Sequence, residues 1–186
     1  EFQWKNQNLF YHVEYMVDGR NKMQKLKVIY EDNHIIVVEK IVNVPSQADK
    51  TGDIDMLTII KDYIKEKYNK PGNVYLGLVH RLDRPTGGVM VFAKTSKAAS
   101  RLSEQIREKK FEKEYLCIVD GKMEKTVDIF EDFLVKNEKN NLSRVTDKNN
   151  KNAKLAKLEY EVLKYDEKID LSLVRVKLYT GRHHQI

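Results

Sequence analysis

The segment that most constrains the fold is a polar loop between two short apolar runs. Residues 75–79 and 89–93 are apolar and bounded by polar residues, a pattern typical of short buried strands. The loop between them contains Pro85, which has no backbone N–H group to donate, and Gly87 and Gly88, which tolerate backbone angles closed to other residues. The sequence therefore predicts a loop that is held in place by a strand at each end.

Asp83 lies in the middle of this loop, with the cationic side chains of Arg81 and Arg84 on either side. Nearby positive charge favours the ionised form of a carboxyl group. An ionised carboxylate in a fixed position can act as a nucleophile or a general base. Structural ion pairs produce the same arrangement. The residue types alone therefore leave open whether Asp83 is catalytic or only caps the loop and pairs with an arginine.

The loop belongs to a set of four stretches that each carry a motif. HRLDR at residues 80–84 is followed by Thr86, by Gly88 and by FAKT at residues 92–95. These residues resemble the central motif of the RluA-type pseudouridine synthases, enzymes that modify uridines in ribosomal and transfer RNA. Three further stretches resemble other motifs of that family in the expected order, so that the resemblance covers residues 27–186; they are residues 30–40, 113–121 and 178–186.

The resemblance implies a role for five residues. Asp83 would be the catalytic carboxylate, Arg81 would help to evict the target uridine from the RNA stack, and Tyr115 would stack on the target base. Arg182 belongs to the segment that closes the sheet near the active site in this family, and Ile186 would pack beside the base. The family reaction needs no cofactor. Whether the carboxylate attacks the sugar, attacks the base or stabilises charge at the sugar stays open.

The resemblance also predicts an incomplete catalytic domain. In the family, a basic residue that pairs with the catalytic carboxylate directly follows the position of Ile186, where this chain stops. We therefore expect a C-terminally truncated domain with little or no activity, in which Arg182 is only a weaker substitute for that residue. The loop at residues 41–45 lacks the family's usual spacing of proline and glycine, so its shape is not predicted.

The order of the predicted elements indicates an α+β fold, with a largely antiparallel mixed sheet and inserted helices. Residues 1–25 are predicted to form an N-terminal extension, a β-hairpin with its turn at Asp18-Gly19, and residues 26–186 to form the catalytic domain. Asp55 is predicted to cap a helix that extends to residue 69. A second helix is predicted between residues 96 and 110.

Two further features concern the second half of the chain. The apolar phase slips by one position between Leu173 and Val174, which predicts a β-bulge in a strand. The segment at residues 136–154 is rich in lysine and asparagine and is predicted to be a long, mobile hairpin tip. This segment either contacts RNA or is a solvated insertion, and the sequence does not distinguish the two.

The charge balance fits an RNA partner. The chain has 34 basic and 28 acidic residues and a net charge of +6, and cations that neutralise phosphates release condensed counterions. Because no apolar run reaches about 18 residues, no membrane association is expected. A cytoplasmic protein is the expectation, and no pattern indicates its oligomeric state.

Two other classes of protein compete with an RNA-modifying enzyme. One is a non-catalytic RNA-binding or ribosome-assembly protein on the same fold, although such a protein has no chemical reason to keep Asp83. The other is a metal-dependent hydrolase that uses His80, Asp83, His183 and His184. Neither an HxH nor an HExxH motif is present, and adjacent histidines on a strand point to opposite faces. No bound metal is therefore expected.

Overall fold

The structure, a computed structural model, describes residues 13–19, 22–138 and 142–186. The chain is divided into two compact units, one extending to Gln105 and the other beginning at Ile106. Within the described residues, neither helix is long and apolar enough to cross a membrane.

The first unit is built on a sheet of five antiparallel strands. They are β1 (Val13–Gly19), β2 (Lys22–Glu31), β3 (Ile35–Lys40), β4 (Gly77–Leu78) and β5 (Gly88–Ala93), in the spatial order β1-β2-β3-β5-β4. β5 pairs with both β3 and β4. The polar loop at residues 79–87 is therefore attached to the sheet at both ends, as predicted from its flanking apolar runs.

The predicted N-terminal hairpin falls partly inside the described residues. β1 pairs antiparallel with β2, with Gly19 opposite Lys22. β2 continues across the boundary that was predicted between residues 25 and 26. Residues 1–12 and 20–21 of the predicted hairpin lie outside the described residues.

Helix α1 (Met56–Lys67) follows β3 and covers the first sheet. The Asp55 carboxylate accepts hydrogen bonds from the backbone N–H groups of Leu57 at 3.0 Å and Thr58 at 3.3 Å, which confirms the predicted N-cap. The apolar face of the helix joins side chains of β2, β3 and β5 in one core; its buried residues are Met56, Ile59, Ile60, Tyr63 and Ile64.

Helix α2 (Ser96–Arg107) is shorter than predicted. Thr95 Oγ1 accepts a hydrogen bond from the backbone N–H of Ala98 at 3.2 Å and so caps its first turn. The predicted end at residue 110 is wrong, because the helix gives way to a turn in which Lys109 has a φ of 58°.

The second unit is also built on five antiparallel strands. They are β6 (Glu114–Asp120), β7 (Val127–Asn137), β8 (Leu142–Val145), β9 (Lys154–Asp166) and β10 (Leu171–Leu178), in the spatial order β6-β10-β9-β7-β8. The register of β10 against β9 shifts between Leu173 and Val174, so the predicted bulge is confirmed. Two antiparallel sheets with two helices agree with the predicted α+β class.

The prediction for residues 136–154 needs correction. This segment is not one long hairpin tip, because it contains β8 and the ends of β7 and β9. Leu134 to Asn137 pair with residues of β8. β7 itself was not predicted. Its side chains are exposed or only half-buried along its whole length, so the apolar alternation that identifies a strand is missing from its sequence.

Candidate active site

The loop at residues 79–87 is fixed by a buried lysine at the end of β3. Lys40 is 1% exposed, and its ammonium group donates three hydrogen bonds to backbone carbonyl oxygens. The acceptors are Ile41 at 3.2 Å, Arg84 at 3.0 Å and Thr86 at 2.7 Å. Burial lowers the pKa of Lys40, and the nearby negative charge of Asp83 opposes this effect. Lys40 thus holds the loop just after Asp83 and places a cation near its carboxylate.

A serine fixes the loop on the other side of Asp83. Ser46 Oγ donates a hydrogen bond to the carbonyl oxygen of Leu82 at 2.7 Å and accepts one from the N–H of Leu82 at 3.2 Å. The N–H of Thr86 also donates to the carbonyl oxygen of Asp83 at 3.0 Å, which closes a turn. The backbone of Asp83 is therefore restrained from both directions.

A glycine is required where the loop enters β5. A Cβ atom added to Gly87 would lie 2.9 Å from Cγ2 of Val42 and 3.5 Å from the carbonyl oxygen of Lys40. The next residue, Gly88, has a φ of 141°, which side chains disfavour. The prediction that glycine permits an unusual backbone angle is thus confirmed for Gly88, whereas at Gly87 the close approach of Val42, and not a positive φ, favours glycine.

Arg84 does not pair with Asp83, so it is not the arginine partner that the structural interpretation of Asp83 requires. Its guanidinium group donates to Thr51 Oγ1 at 3.1 Å and to Asp53 Oδ2, and it lies 3.6 Å from Asp49 Oδ2. Its carbonyl oxygen accepts a hydrogen bond from the N–H of Asn43 at 2.8 Å. Arg84 thus anchors the loop to the segment before α1.

Asp83 and Arg81 are both exposed, whereas Leu82 between them packs against the core of the first unit. Within the described residues, neither the Asp83 carboxylate nor the Arg81 guanidinium has a hydrogen-bond or ion-pair partner. The loop therefore presents one carboxylate and one guanidinium to solvent on a fixed backbone.

His80 has a structural contact that argues against a role as a metal ligand. Its Nε2 atom accepts a hydrogen bond from the backbone N–H of Val91 at 3.1 Å. Across the parts of the chain that the structure describes, no group of three or more His, Cys, Asp or Glu side chains is arranged to hold a metal ion. The competing metal-hydrolase interpretation therefore gains no support from the geometry.

The other predicted site residues belong to the second unit. Tyr115 lies on β6 opposite Val176 of β10, and it is half-buried against the core of this unit. The Arg182 side chain donates through Nε to the carbonyl oxygen of Leu155 at 2.7 Å. Ile186 is 54% exposed. The five predicted residues are thus distributed over both units, with Arg81 and Asp83 in the first.

Gln185 is a residue whose contribution sequence reasoning missed. Its Oε1 atom accepts hydrogen bonds from the Thr180 hydroxyl at 2.8 Å and from the N–H of Arg182 at 2.9 Å. Its Nε2 group donates to the carbonyl oxygen of Lys157 at 3.1 Å. The Gln185 side-chain amide therefore holds the turn that contains Arg182 against β9.

The two adjacent histidines do not point to opposite faces, so this expectation is wrong. His183 and His184 lie in a turn, and their ring centroids are 3.8 Å apart at an interplanar angle of 24°. His184 has a φ of 48°, which departs from strand geometry and allows the rings to stack. His183 Nδ1 is also 3.1 Å from Ser143 Oγ.

Comparison with known proteins identifies related sequences. One, an uncharacterized RNA pseudouridine synthase of Aquifex aeolicus, is 37% identical over 87% of this chain and 50% of its own length. The ribosomal large subunit pseudouridine synthase C of Vibrio parahaemolyticus is 32% identical over 89% of this chain and 50% of its own length. The mitochondrial tRNA pseudouridine(32) synthase of Saccharomyces cerevisiae is 34% identical over 98% of this chain and 38% of its own length. The chain thus spans about half the length, or less, of these relatives.

Solved structures share the fold. Human RNA pseudouridylate synthase domain containing 4 superposes with a TM-score of 0.70 at 22% identity, over 85% of this chain and 60% of that one. The sequence model of the family described as RNA pseudouridylate synthase matches residues 34–186, most of the chain. This match confirms the resemblance seen in the four motifs, and the chain belongs to the RNA pseudouridylate synthase family.

Proposed function

We propose that the protein is an RNA pseudouridine synthase that converts specific uridines of ribosomal or transfer RNA to pseudouridine in the cytoplasm. The observation that carries this proposal is the exposed Asp83 carboxylate, for which the described residues supply no hydrogen-bond or ion-pair partner, on a loop fixed from both sides. Family membership supports it, as do relatives named for the ribosomal large subunit and for tRNA.

The proposed reaction rearranges one nucleotide. The bond between nitrogen 1 of the uracil ring and the ribose breaks, the ring turns, and a bond from carbon 5 to the ribose replaces it. Carbon 5 releases its hydrogen to solvent as a proton, and nitrogen 1 takes up a proton from solvent. Atoms and electrons balance without a redox partner, so the proposal includes no cofactor. Asp83 would attack the sugar, attack the base, or stabilise positive charge at the sugar.

Arg81 and Tyr115 are proposed to hold the substrate. A base can react only after it leaves the RNA stack, which costs a few kcal/mol. The planar guanidinium of Arg81 is exposed and able to stack in the vacated place while contacting phosphate. The Tyr115 ring would stack on the extruded base, Ile186 would pack beside that base, and Arg182 would contact the RNA substrate.

Lys40 is proposed as a positioning residue. Its hydrogen bonds reach backbone atoms of the loop, and its charge interacts with Asp83 without a direct ion pair. It would therefore set the direction of the carboxylate by fixing the backbone at Arg84 and Thr86. No contact between Lys40 and the substrate is part of this proposal.

The test is tritium release from RNA labelled at carbon 5 of uridine, using the protein at its full natural length. Asp83→Asn keeps the shape of the side chain and removes its charge. We expect this variant to lose at least about a thousandfold in rate, the scale seen when a catalytic nucleophile is removed. Asp62→Asn is the matched control, because Asp62 is an exposed acid on α1 in the same unit. It should retain wild-type activity.

Undiminished tritium release by Asp83→Asn would refute the assignment of the carboxylate. A wild-type protein that releases no tritium, but binds RNA with an affinity that falls steeply with salt, would be a non-catalytic RNA-binding protein instead.

A further inference from the structure

An open groove in the second unit has more cationic than acidic side chains on its walls. We name it the basic groove, after the four cationic side chains on its walls: Lys136, Lys151, Lys154 and Arg182. Its volume is about 500 Å³. Among the described lining residues, Glu138 is the one acidic side chain, and His183 carries the one aromatic ring. The groove therefore has a surplus of positive charge and little surface on which bases could stack.

The walls of the groove are held largely by contacts between uncharged groups; Arg182 is the exception, since its Nε donates to the carbonyl oxygen of Leu155 at 2.7 Å. Ser143 of β8 contacts His183 Nδ1 at 3.1 Å, which joins the β7–β8 hairpin to the turn that carries Arg182. The opposite wall is a turn closed by a hydrogen bond from the N–H of Ala153 to the carbonyl oxygen of Asn150 at 2.8 Å. The cationic groups are thus placed by fixed neighbours and remain available to a ligand.

The charges in the groove are poorly neutralised by the protein itself. Of the described residues, none forms an ion pair with Lys151, Lys154 or Arg182. Lys136 pairs with Glu138 at 3.3 Å, but the Glu138 side chain is 82% exposed. Such exposed pairs stabilise little and are readily exchanged for another anion.

Arg182 has a second cation beside it instead of a carboxylate. The Lys113 ammonium lies so close to the turn that a Cβ atom on Gly181 would be 3.2 Å from Nζ. Burial lowers the pKa of Lys113, and the positive charge of Arg182 lowers it further. Two neighbouring cations, one of them half-buried, are costly without an anion between or beside them.

We propose that the basic groove binds successive phosphates of a single RNA strand. This inference rests on the proposed function, which supplies RNA as the substrate class. Several cations spread along an open groove match a repeating chain of phosphates better than one small anion. With a single aromatic ring among the lining residues, the groove would contact the backbone and position the RNA without reading its sequence.

The test compares two triple variants that remove the same charge. The groove variant carries Lys136→Gln, Lys151→Gln and Lys154→Gln. The control variant carries Lys122→Gln, Lys164→Gln and Lys168→Gln, all exposed lysines near the opposite end of the second sheet. Binding of a fluorescent single-stranded RNA of about 12 nucleotides is measured by anisotropy across a range of salt concentrations, without turnover.

We expect the groove variant to lose at least about tenfold in affinity, with its salt slope reduced by about 2, because each phosphate contact contributes about 0.7 to that slope on single strands. The control variant should bind nearly as the wild type does.

An equal loss of affinity in both variants would attribute binding to net charge and overturn the proposal. No loss of affinity in either variant would overturn it as well. If the groove variant lost binding of inorganic phosphate but kept its binding of RNA, the groove would be a small-anion site, and the proposal would be overturned. The two proposals are tested separately: RNA affinity of the groove variant tests the groove, and tritium release by Asp83→Asn, which leaves the groove intact, tests the proposed function.

Discussion

The two units of the protein differ in how they are stabilised. Within the described residues, thirteen buried residues form a single cluster between the first sheet and α1, whereas three form the buried cluster of the second unit. The second unit instead leaves apolar side chains in solvent, such as Leu116 at 67% and Ile118 at 69% exposure on β6. The Asp83 loop therefore lies on the better-packed unit, and the basic groove lies on the less densely packed one.

The polar interactions differ in the same direction. In the first unit, the Glu31 carboxylate is 6% exposed and binds Lys94 at 2.6 Å and Lys67 at 2.8 Å. In the second unit, Arg175 and Glu161 lie 3.1 Å apart with about half of each side chain exposed. Removing one partner of a buried ion pair lowers stability strongly, because the other charge is left buried without a partner. An exposed ion pair adds little to stability, because water can replace either partner. The comparison teaches that a loop with a fixed backbone and an open, charged groove lie on units that are stabilised in different ways.

The largest expected effect on stability comes from the first core. Phe92 is fully buried on β5, and Phe92→Ala should lower the free energy of unfolding by about 3–5 kcal/mol. Leu116→Ala on the exposed face of β6 should change it by no more than about 0.5 kcal/mol. Urea denaturation followed by circular dichroism measures both. Equal losses of unfolding free energy in the two variants would contradict the conclusion that the first unit is better packed than the second.

A smaller effect is expected from the buried carboxylate. Burial alone would raise the pKa of Glu31, but hydrogen bonds from Lys67, Lys94, Tyr63 and Tyr68 outweigh it and lower the pKa to about 2. Glu31→Gln should therefore cost about 3 kcal/mol at neutral pH. Because the folded-state pKa is depressed, this stabilisation is present above pH 4.5 and is lost as the pH falls towards 2.

Urea denaturation at several pH values tests this expectation. The difference between wild type and Glu31→Gln should shrink as the pH falls from 4.5 towards 2. Glu161→Gln in the second unit is the matched control, and it should cost less than about 1 kcal/mol because its pair is exposed. A cost for Glu161→Gln as large as that for Glu31→Gln would contradict the distinction between the two sheets.

The smallest expected stability effect among the buried sites comes from Lys40. Lys40→Met removes three hydrogen bonds to partly buried carbonyl groups, which costs stability, but it also removes a buried charge, which offsets part of the cost; the net loss should be about 2 kcal/mol. Its effect on turnover should be larger than this modest loss suggests, because the loop around Asp83 loses its restraint. Lys27→Met on β2 is the control, since Lys27 is 51% exposed and pairs with an exposed Glu39. Wild-type turnover in Lys40→Met would show that the loop keeps its shape without the lysine.

Local signals in the sequence predicted part of this architecture. Asp55 caps α1 as predicted, because an N-cap is decided by neighbouring residues. The bulge between Leu173 and Val174 was visible as a phase slip in an alternating strand. β7 was not predicted, because its side chains are exposed or half-buried and its sequence lacks the alternation of apolar and polar residues that marks a strand. Features set by nearby residues were thus predictable, and features set by tertiary surroundings were not.

The same distinction applies to the candidate site. The motif drew attention to Asp83 and Arg81, and their exposure on the loop agrees with the proposed roles. The pairing of Arg84 with Asp53 was missed, because the two residues are distant in sequence and meet only in the fold. The three carbonyl acceptors of Lys40 were equally invisible, since no side-chain pattern reveals a bond to backbone atoms.

The bonds of Lys40 and Ser46 to main-chain atoms make the shape of the loop largely independent of the side chains it displays. Every residue type supplies a carbonyl oxygen, so exchanges at Arg81 or Asp83 leave these restraints in place. Substitutions at the two positions would then report on chemistry alone. A cysteine or a glutamate in place of Asp83 would move the reactive atom by a bond length or change its nucleophilicity while the backbone stays still. The loop is thus suited to measuring how far the position of one reactive group controls its reaction.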